Sequence, residues 1–166
     1  MRLAVFSDAH HNIKAMEFAL QDLEDIDYVV YAGDGLDKIL NSWIPDEFNL
    51  LAVQGNCDHV RDYPQERTID VGDTKIFLTH GKRYRIKWGL DNLYYKAKEV
   101  KADVVIFGHT HRRLAQEEND ILFFNPGSIS RPRGDEEPSY GLLEIEDNNI
   151  AYRHIVYSNN ENGSKM

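Results

Sequence analysis

The 166-residue sequence predicts an α/β domain, with parallel central strands and an antiparallel second part packed as a two-sheet sandwich flanked by helices. Three observations predict it. Short apolar runs alternate with stretches of helical period through the first part of the chain. Five of those runs break at a turn that carries a polar residue, and glycine adjoins every break but the first. From residue 121 onward the pattern is mostly β.

Taken in order, LAVF (3–6) reads as a strand that stops at Ser7-Asp8. Ile13, Met16, Phe18, Ala19, Leu20 and Leu23 then recur at spacings near three and four, which predicts a helix capped by Asn12. YVVY (28–31) is a β-branched and aromatic strand ending in Gly33-Asp34-Gly35. A short helix over 36–42 follows, closed by Pro45. LLAV (50–53) repeats the theme before Gly55-Asn56-Cys57, and 67–71 with 75–79 form a hairpin across Gly72-Asp73. Leu90, Leu93, Tyr94, Ala97 and Val100 share one face of a helix over 88–100. The run 102–107 is a buried strand that breaks at Gly108, and 121–125, 140–147 and 149–157 supply the last strands. No linker or repeat divides the chain, so 1–158 is expected to be one domain and 159–166 a flexible tail.

Composition narrows the function. With 28 acidic against 19 basic residues the net charge is −9, so no stable nucleic-acid complex is expected. No apolar run approaches the ~20 residues that cross a bilayer, and the N-terminal run is too short for a signal-peptide core. The single cysteine makes no internal disulfide, which leaves a cytoplasmic location as the expectation. Apolar edge strands in the C-terminal β region allow a homo-oligomer.

The five strand ends carry Asp8 and His10, then Asp34, Asn56, His80, and finally His109 and His111. In α/β sheets ligands bind at the carboxyl ends of the strands, so clusters distant in sequence converge there. Singly, each has a plainer reading: a helix start at Asp8, turns at Asp34 and Asn56, a structural histidine at His80. Together, three carboxylate or amide oxygens and four imidazoles exceed the needs of one tetrahedral ion and suit two, one ligand being shared.

Asp8-Ala9-His10, Gly33-Asp34, Gly55-Asn56, His80-Gly81 and Gly108-His109-Thr110-His111 resemble the ordered blocks of the calcineurin-like metallophosphoesterases. GNCD (55–58) and NPGSISRPR (125–133) make the chain similar to the compact YfcE-type phosphodiesterases. The resemblance implies a four-layer α/β/β/α sandwich of two mixed sheets. It also implies two divalent ions, Mn²⁺ favoured over Fe, Ni, Co or Zn. Asp8, His10 and His111 would hold the first, Asn56, His80 and His109 the second, and Asp34 would bridge them. The implied activity is hydrolysis of a small phosphodiester by a metal-bridged hydroxide. Alternatives on the same fold are a non-catalytic scaffold and a small-oligonucleotide nuclease; the intact set of seven positions favours the enzyme.

Three departures from the family pattern bear on substrate. His11 stands where a glycine is common, and either overhangs the site mouth or packs beside the turn. Lys82 replaces a second histidine and opens a basic run with Arg83, Arg85 and Lys87, either a solvated loop or a guide for phosphate. His11, Lys82 and Arg83 are therefore the candidate substrate contacts. Cys57 occupies the place of the histidine that protonates the leaving oxygen in relatives, and reads as a weak proton donor or a bystander. Asp58 and His59 are expected to support the site or lie on the surface. The stretch 125–133 is expected to wall it.

Overall fold

Residues 1–147 and 149–158 are described by the computed structural model; the tail expected at 159–166 lies outside the described residues. Strand β1 (Arg2–Phe6) shows why the apolar runs are continuous rather than alternating. Its Ala4 and Phe6 pack toward helices, while Leu3 and Val5 pack toward a second sheet, so both faces are buried. β2 (Tyr28–Tyr31) and β3 (Leu50–Ala52) lie parallel beside it, and β9 (Ser139–Glu146) with β10 (Asn149–Val156) adds an antiparallel hairpin on its other side. This first sheet runs β10-β9-β1-β2-β3.

The second sheet runs β4-β5-β6-β8-β7. β4 (Glu66–Val71) and β5 (Thr74–Thr79) form the expected hairpin, with Val71 opposite Thr74 across Gly72-Asp73. β6 (Val104–Ile106) and β8 (Ile121–Pro126) continue parallel to β5, and β7 (Arg113–Glu118) closes the edge antiparallel to β8. Leu3, Val5, Val30, Ile76, Leu78, Val104 and Phe124 fill the space between the sheets. Helices α1 (Lys14–Gln21), α2 (Leu36–Leu40) and α3 (Ile44–Glu47) cover the outer face of the first sheet through Met16, Leu20, Ile39 and Ile44. Helix α4 (Asp91–Val100) covers the second through Leu93 and Ala97 against Phe77, Val105 and Phe123. The order helix, sheet, sheet, helix is the four-layer sandwich. Each fully buried Leu, Val, Ile or Phe in its three cores contributes about 1.5–3 kcal/mol relative to exposure.

Several local expectations are corrected. Asn12 does not cap α1: Ile13 is the N-cap and makes no side-chain capping bond. Phe18, expected on the buried face, is 50% exposed. Pro45 does not end a helix but sits in the first turn of α3, where its missing N–H would have had no partner. α4 starts at Asp91, and Trp88 before it is 91% exposed. The antiparallel strands are shared between the two sheets rather than gathered into a second part, because β9 returns to pair with β1.

Candidate metal centre

The parallel strands β1, β2, β3, β5 and β6 all deliver their C-terminal ends to one edge of the sandwich, where the sheets meet. Hydrogen bonding continues past the strands: Asp8 N donates to Gly33 O (3.0 Å), His10 N to Asp34 O (2.8 Å) and Gly108 N to His80 O (3.2 Å). The turns are so tight that Asp8, His10, Asp34, His109 and His111 all have positive φ, between 50° and 67°. A non-glycine residue in that region is uncommon, and such strain gathers at functional sites. Gly108 permits one close approach: a Cβ there would lie 1.8 Å from Ser7 Oγ and 2.7 Å from Asp8 Oδ2.

Asp8 is fully buried, and its two oxygens are treated differently. Oδ2 accepts from Ser7 Oγ (2.7 Å) and His109 N (3.0 Å). Oδ1 has no hydrogen-bond partner, and stands 3.2 Å from His111 Nε2 and 4.0 Å from His80 Nε2. Both histidines present that nitrogen for one reason: His80 Nδ1 donates to Ala32 O (2.7 Å) and His111 Nδ1 to Arg131 O (2.6 Å). With the proton fixed on Nδ1, a neutral ring leaves a bare lone pair on Nε2. His10 Nε2 lies 3.2 Å from His111 Nε2. Asp34 Oδ2 lies 3.3 Å from His80 Nε2, which is likewise buried without a hydrogen-bond partner. Acceptors facing acceptors in a buried space are stable only around a cation or a proton. Asp8, His10 and His111 form one group with converging donor atoms, and Asp8, Asp34 and His80 another.

The electrostatics agree with this crowding of negative charge. Burial raises the carboxyl pKa of Asp34, but the His80 ring beside it and the Cys57 N–H outweigh burial and hold the group well below the carboxylate range. Burial lowers His80 too, yet Asp34 and Asp8 push it above the ordinary value. His111 rises chiefly through the Asp8 carboxylate beside it. His109 falls to about 4 through burial and the charge of His80, whose ring lies 5.1 Å away between centroids. Burial also lowers His10.

The remaining expected residues fall in different places. Asn56 and Cys57 line the central cleft but are exposed, and Asn56 Nδ2 points at Cys57 Sγ (3.3 Å) rather than at Asp34. Cys57 Sγ, a His10 nitrogen and an Asp34 oxygen make a third converging group, and burial with the nearby Asp34 charge raises the thiol pKa. His11 is exposed and outside the cleft lining. Lys82 and Arg83 line a neighbouring pocket of about 340 Å³ with Gln54, Gln65 and Glu66; Asn56 borders both cavities. The cations on the central cleft, of about 380 Å³, are instead Lys87, Arg131 and Arg133. Of the stretch 125–133, only Arg131, Pro132 and Arg133 line that cleft, while 125–129 are buried. Asp58, unassigned from sequence beyond a supporting part, is 6% exposed and accepts four backbone N–H groups.

A mixed two-sheet sandwich with carboxylates and imidazoles converging at its strand ends defines a fold built around divalent metal. The family model for the calcineurin-like phosphoesterase superfamily domain matches residues 1–148, and the chain belongs to that superfamily. It is 33% identical to the probable metallophosphoesterase YsnB of Bacillus subtilis, over 97% of this chain and 94% of that one. It is 29% identical to the phosphodiesterase YfcE of Escherichia coli K12, covering 87% and 88%. A crystal structure of a conserved uncharacterized protein, predicted phosphoesterase, from Streptococcus pneumoniae matches with TM-score 0.81 at 34% identity, over 94% of this chain and 89% of that one. Family and buried Asp/His cluster together imply divalent metal ions. Among the described residues no helix is long and apolar enough to cross a membrane.

Proposed function

We propose that the chain is a dinuclear-metal phosphodiesterase acting on a small diester, with Asp8, His10 and His111 at one ion, Asn56, His80 and His109 at the other, and Asp34 shared. The observation that carries it is the pair of buried, partnerless atoms Asp8 Oδ1 and His80 Nε2, facing each other at 4.0 Å. Mixed nitrogen and oxygen donors suit Mn²⁺ as well as Fe, Co, Ni or Zn, and Mn²⁺ is the favoured occupant. Bound ions supply Lewis-acid polarisation of the phosphoryl group and an acidified water.

The chain's own residues do the rest. Lys87, Arg131 and Arg133 draw an anionic phosphate into the cleft, against an overall negative protein. The adjoining pocket at Lys82, Arg83 and Gln65 gives room for a second ester group, which favours a diester over a monoester. Cys57 stays protonated at neutral pH because its pKa is raised, so it offers the leaving oxygen a proton, though a weaker one than imidazole would.

The test is a chelator-stripped protein reloaded with each metal and given aryl diesters, aryl monoesters and short oligonucleotides. About two ions per chain, with Mn²⁺-stimulated cleavage of the diester above the monoester, is the expected result. No tight metal binding and no hydrolysis would favour the scaffold instead, and cleavage of oligonucleotides alone the nuclease.

A further inference from the structure

We infer that Asp58 is a positioning residue that locks the Asp34 and Asn56 loops into one unit, so that its loss weakens the ion held by Asn56, His80 and His109 more than the ion that takes only Asp34 from these loops. The inference rests on the dinuclear reading above. Asp58 Oδ1 accepts from Gly35 N (2.7 Å) and Leu36 N (3.0 Å), and Oδ2 from Asp34 N (2.8 Å) and Gly55 N (2.7 Å). One buried carboxylate thus fills its acceptor positions with the backbone of two loops: the one after β2 and the one after β3, on which it sits itself. The clasp is reciprocal, because Cys57 N donates back to Asp34 Oδ1 (2.8 Å). The loops also touch: a Cβ on Gly55 would stand 2.1 Å from that oxygen.

Strand pairing ends at Tyr31 and Ala52, so nothing in the sheet fixes the distance between Asp34 and Asn56 beyond it. Asp58 does. None of the Asp58 bonds reaches Asp8, His10 or His111 themselves: Ser7, Ser128 and Ser130 hold the Asp8 turn, Arg131 O holds the His111 ring, and His10 meets the Asp34 loop through its own N–H to Asp34 O (2.8 Å). Charge-assisted bonds from backbone N–H to carboxylate are about twice as strong as neutral ones. An amide in place of the acid keeps only one accepting oxygen and turns its NH₂ toward two N–H donors. Outer contacts of this kind typically change metal affinity about 10–100-fold.

The experiment titrates metal-free protein with Mn²⁺ by calorimetry and reads the spin coupling of the bound pair by electron paramagnetic resonance. Wild type is compared with Asp58→Asn, Asp58→Glu and Ser128→Ala. Asp58→Asn is expected to weaken one ion by about 10–100-fold, weaken the other less through the shared Asp34, and replace the coupled signal with that of isolated Mn²⁺. Asp58→Glu keeps the carboxylate and restores part of the loss; it carries the same readout where the Asn variant does not fold. Ser128→Ala is expected to weaken the other ion. Equal weakening of both ions by Asp58→Asn, or none, would overturn the inference. A wild type that binds fewer than two ions would overturn the dinuclear reading itself, before any variant is considered.

Discussion

Asp8 and Asp34 stand at matching places, just past neighbouring parallel strands, yet they are held by different means. The Asp8 half is knitted into the fold. Its backbone carbonyl accepts from Ser128 (2.8 Å) and Ser130 (3.1 Å), Ala9 N donates to the buried Tyr31 hydroxyl, and Asn125 holds the facing loop through Gly108 O and Thr110 Oγ1. The Asp34 loop is held by the Asp58 carboxylate together with the Tyr31 hydroxyl and His10 N, which both donate to Asp34 O, and the Asn56 and Cys57 beside it are open to solvent. The first half is preorganised by side chains from distant strands, the second by a clasp local to two loops. A fixed half that seats an ion beside a looser half that meets the substrate is a physically sensible division for a site that must bind and release.

The largest expected effect comes from removing Asp34, which in the proposed centre is the ligand both halves share. Asp34→Asn takes away a charge next to His80 while keeping an oxygen that accepts from Cys57 N. Its loss of phosphodiesterase activity should exceed the about 10–100-fold typical of outer contacts, and ion content should fall from two. An Asp34→Asn protein that keeps both ions and near-native turnover would remove Asp34 from the centre.

Next in size is a change to the rigid half alone. Gly108→Ala forces a methyl group into Ser7 Oγ and Asp8 Oδ2, neither of which is the free end of a flexible chain. Overpacking of this kind costs about 1–3 kcal/mol, to be read by urea unfolding of the metal-free protein. A Cβ placed at Gly72 meets nothing within 4 Å, although its φ of +61° is itself strained, so Gly72→Ala controls for backbone strain without a clash. Gly108 is not among the positive-φ glycines, so a loss there no larger than at Gly72 would show that the packing around Asp8 gives way instead of clashing.

The contrast between the halves also explains what could be read from the sequence. The convergence of Asp8, His10, Asp34, His80 and His111 was legible because each follows an apolar run, and strand direction carries all such ends to one edge. The clasp was not: which backbone amides face the Asp58 carboxylate depends on the register of two loops, and no local pattern encodes it. The same holds for Ser128 and Ser130, which read as ordinary loop hydroxyls until the fold brings them to Asp8. Strand β7 was missed because RLAQEE has no apolar alternation; it is an edge strand, exposed from Ala115 on. The basic run was seen, but 3₁₀ winding over Lys82–Tyr84 turns Lys82 and Arg83 to the side pocket and leaves Lys87 on the cleft.

A smaller effect belongs to the open half. Cys57→Ala leaves the donors of both ions in place apart from the thiol, so an aryl diester with a good leaving group should keep most of its turnover. Esters of poorly acidic alcohols should lose more, because they need the proton that the thiol offers. A uniform loss across leaving groups would instead assign Cys57 to metal binding, within its converging group with His10 and Asp34.

The smallest effect probes how the rigid half is anchored to the far sheet. His154 on β10 stacks on Phe124 with centroids 4.6 Å apart, and its Nε2 donates to Asn125 O (2.7 Å); Asn125 in turn holds Gly108 and Thr110. Burial lowers the pKa of His154, more than its bond to Asn125 and the nearby Glu136 raise it; Arg113 lowers it further. The folded state therefore binds fewer protons at this ring than the unfolded chain does once the pH falls below about 6.5. Stability contributed by the neutral ring is whole above that pH and declines as the pH drops toward the lowered folded value. His154→Gln removes the titration, so the stability gap between wild type and variant should narrow on acidification, by at most about 1.4 kcal/mol per unit of pKa shift. Urea unfolding of the two metal-free proteins at about pH 7.5 and about pH 5 reads it. A gap that is the same at both values would mean that His154 anchors Asn125 by shape alone, and that acid does not loosen the Asp8 half through it.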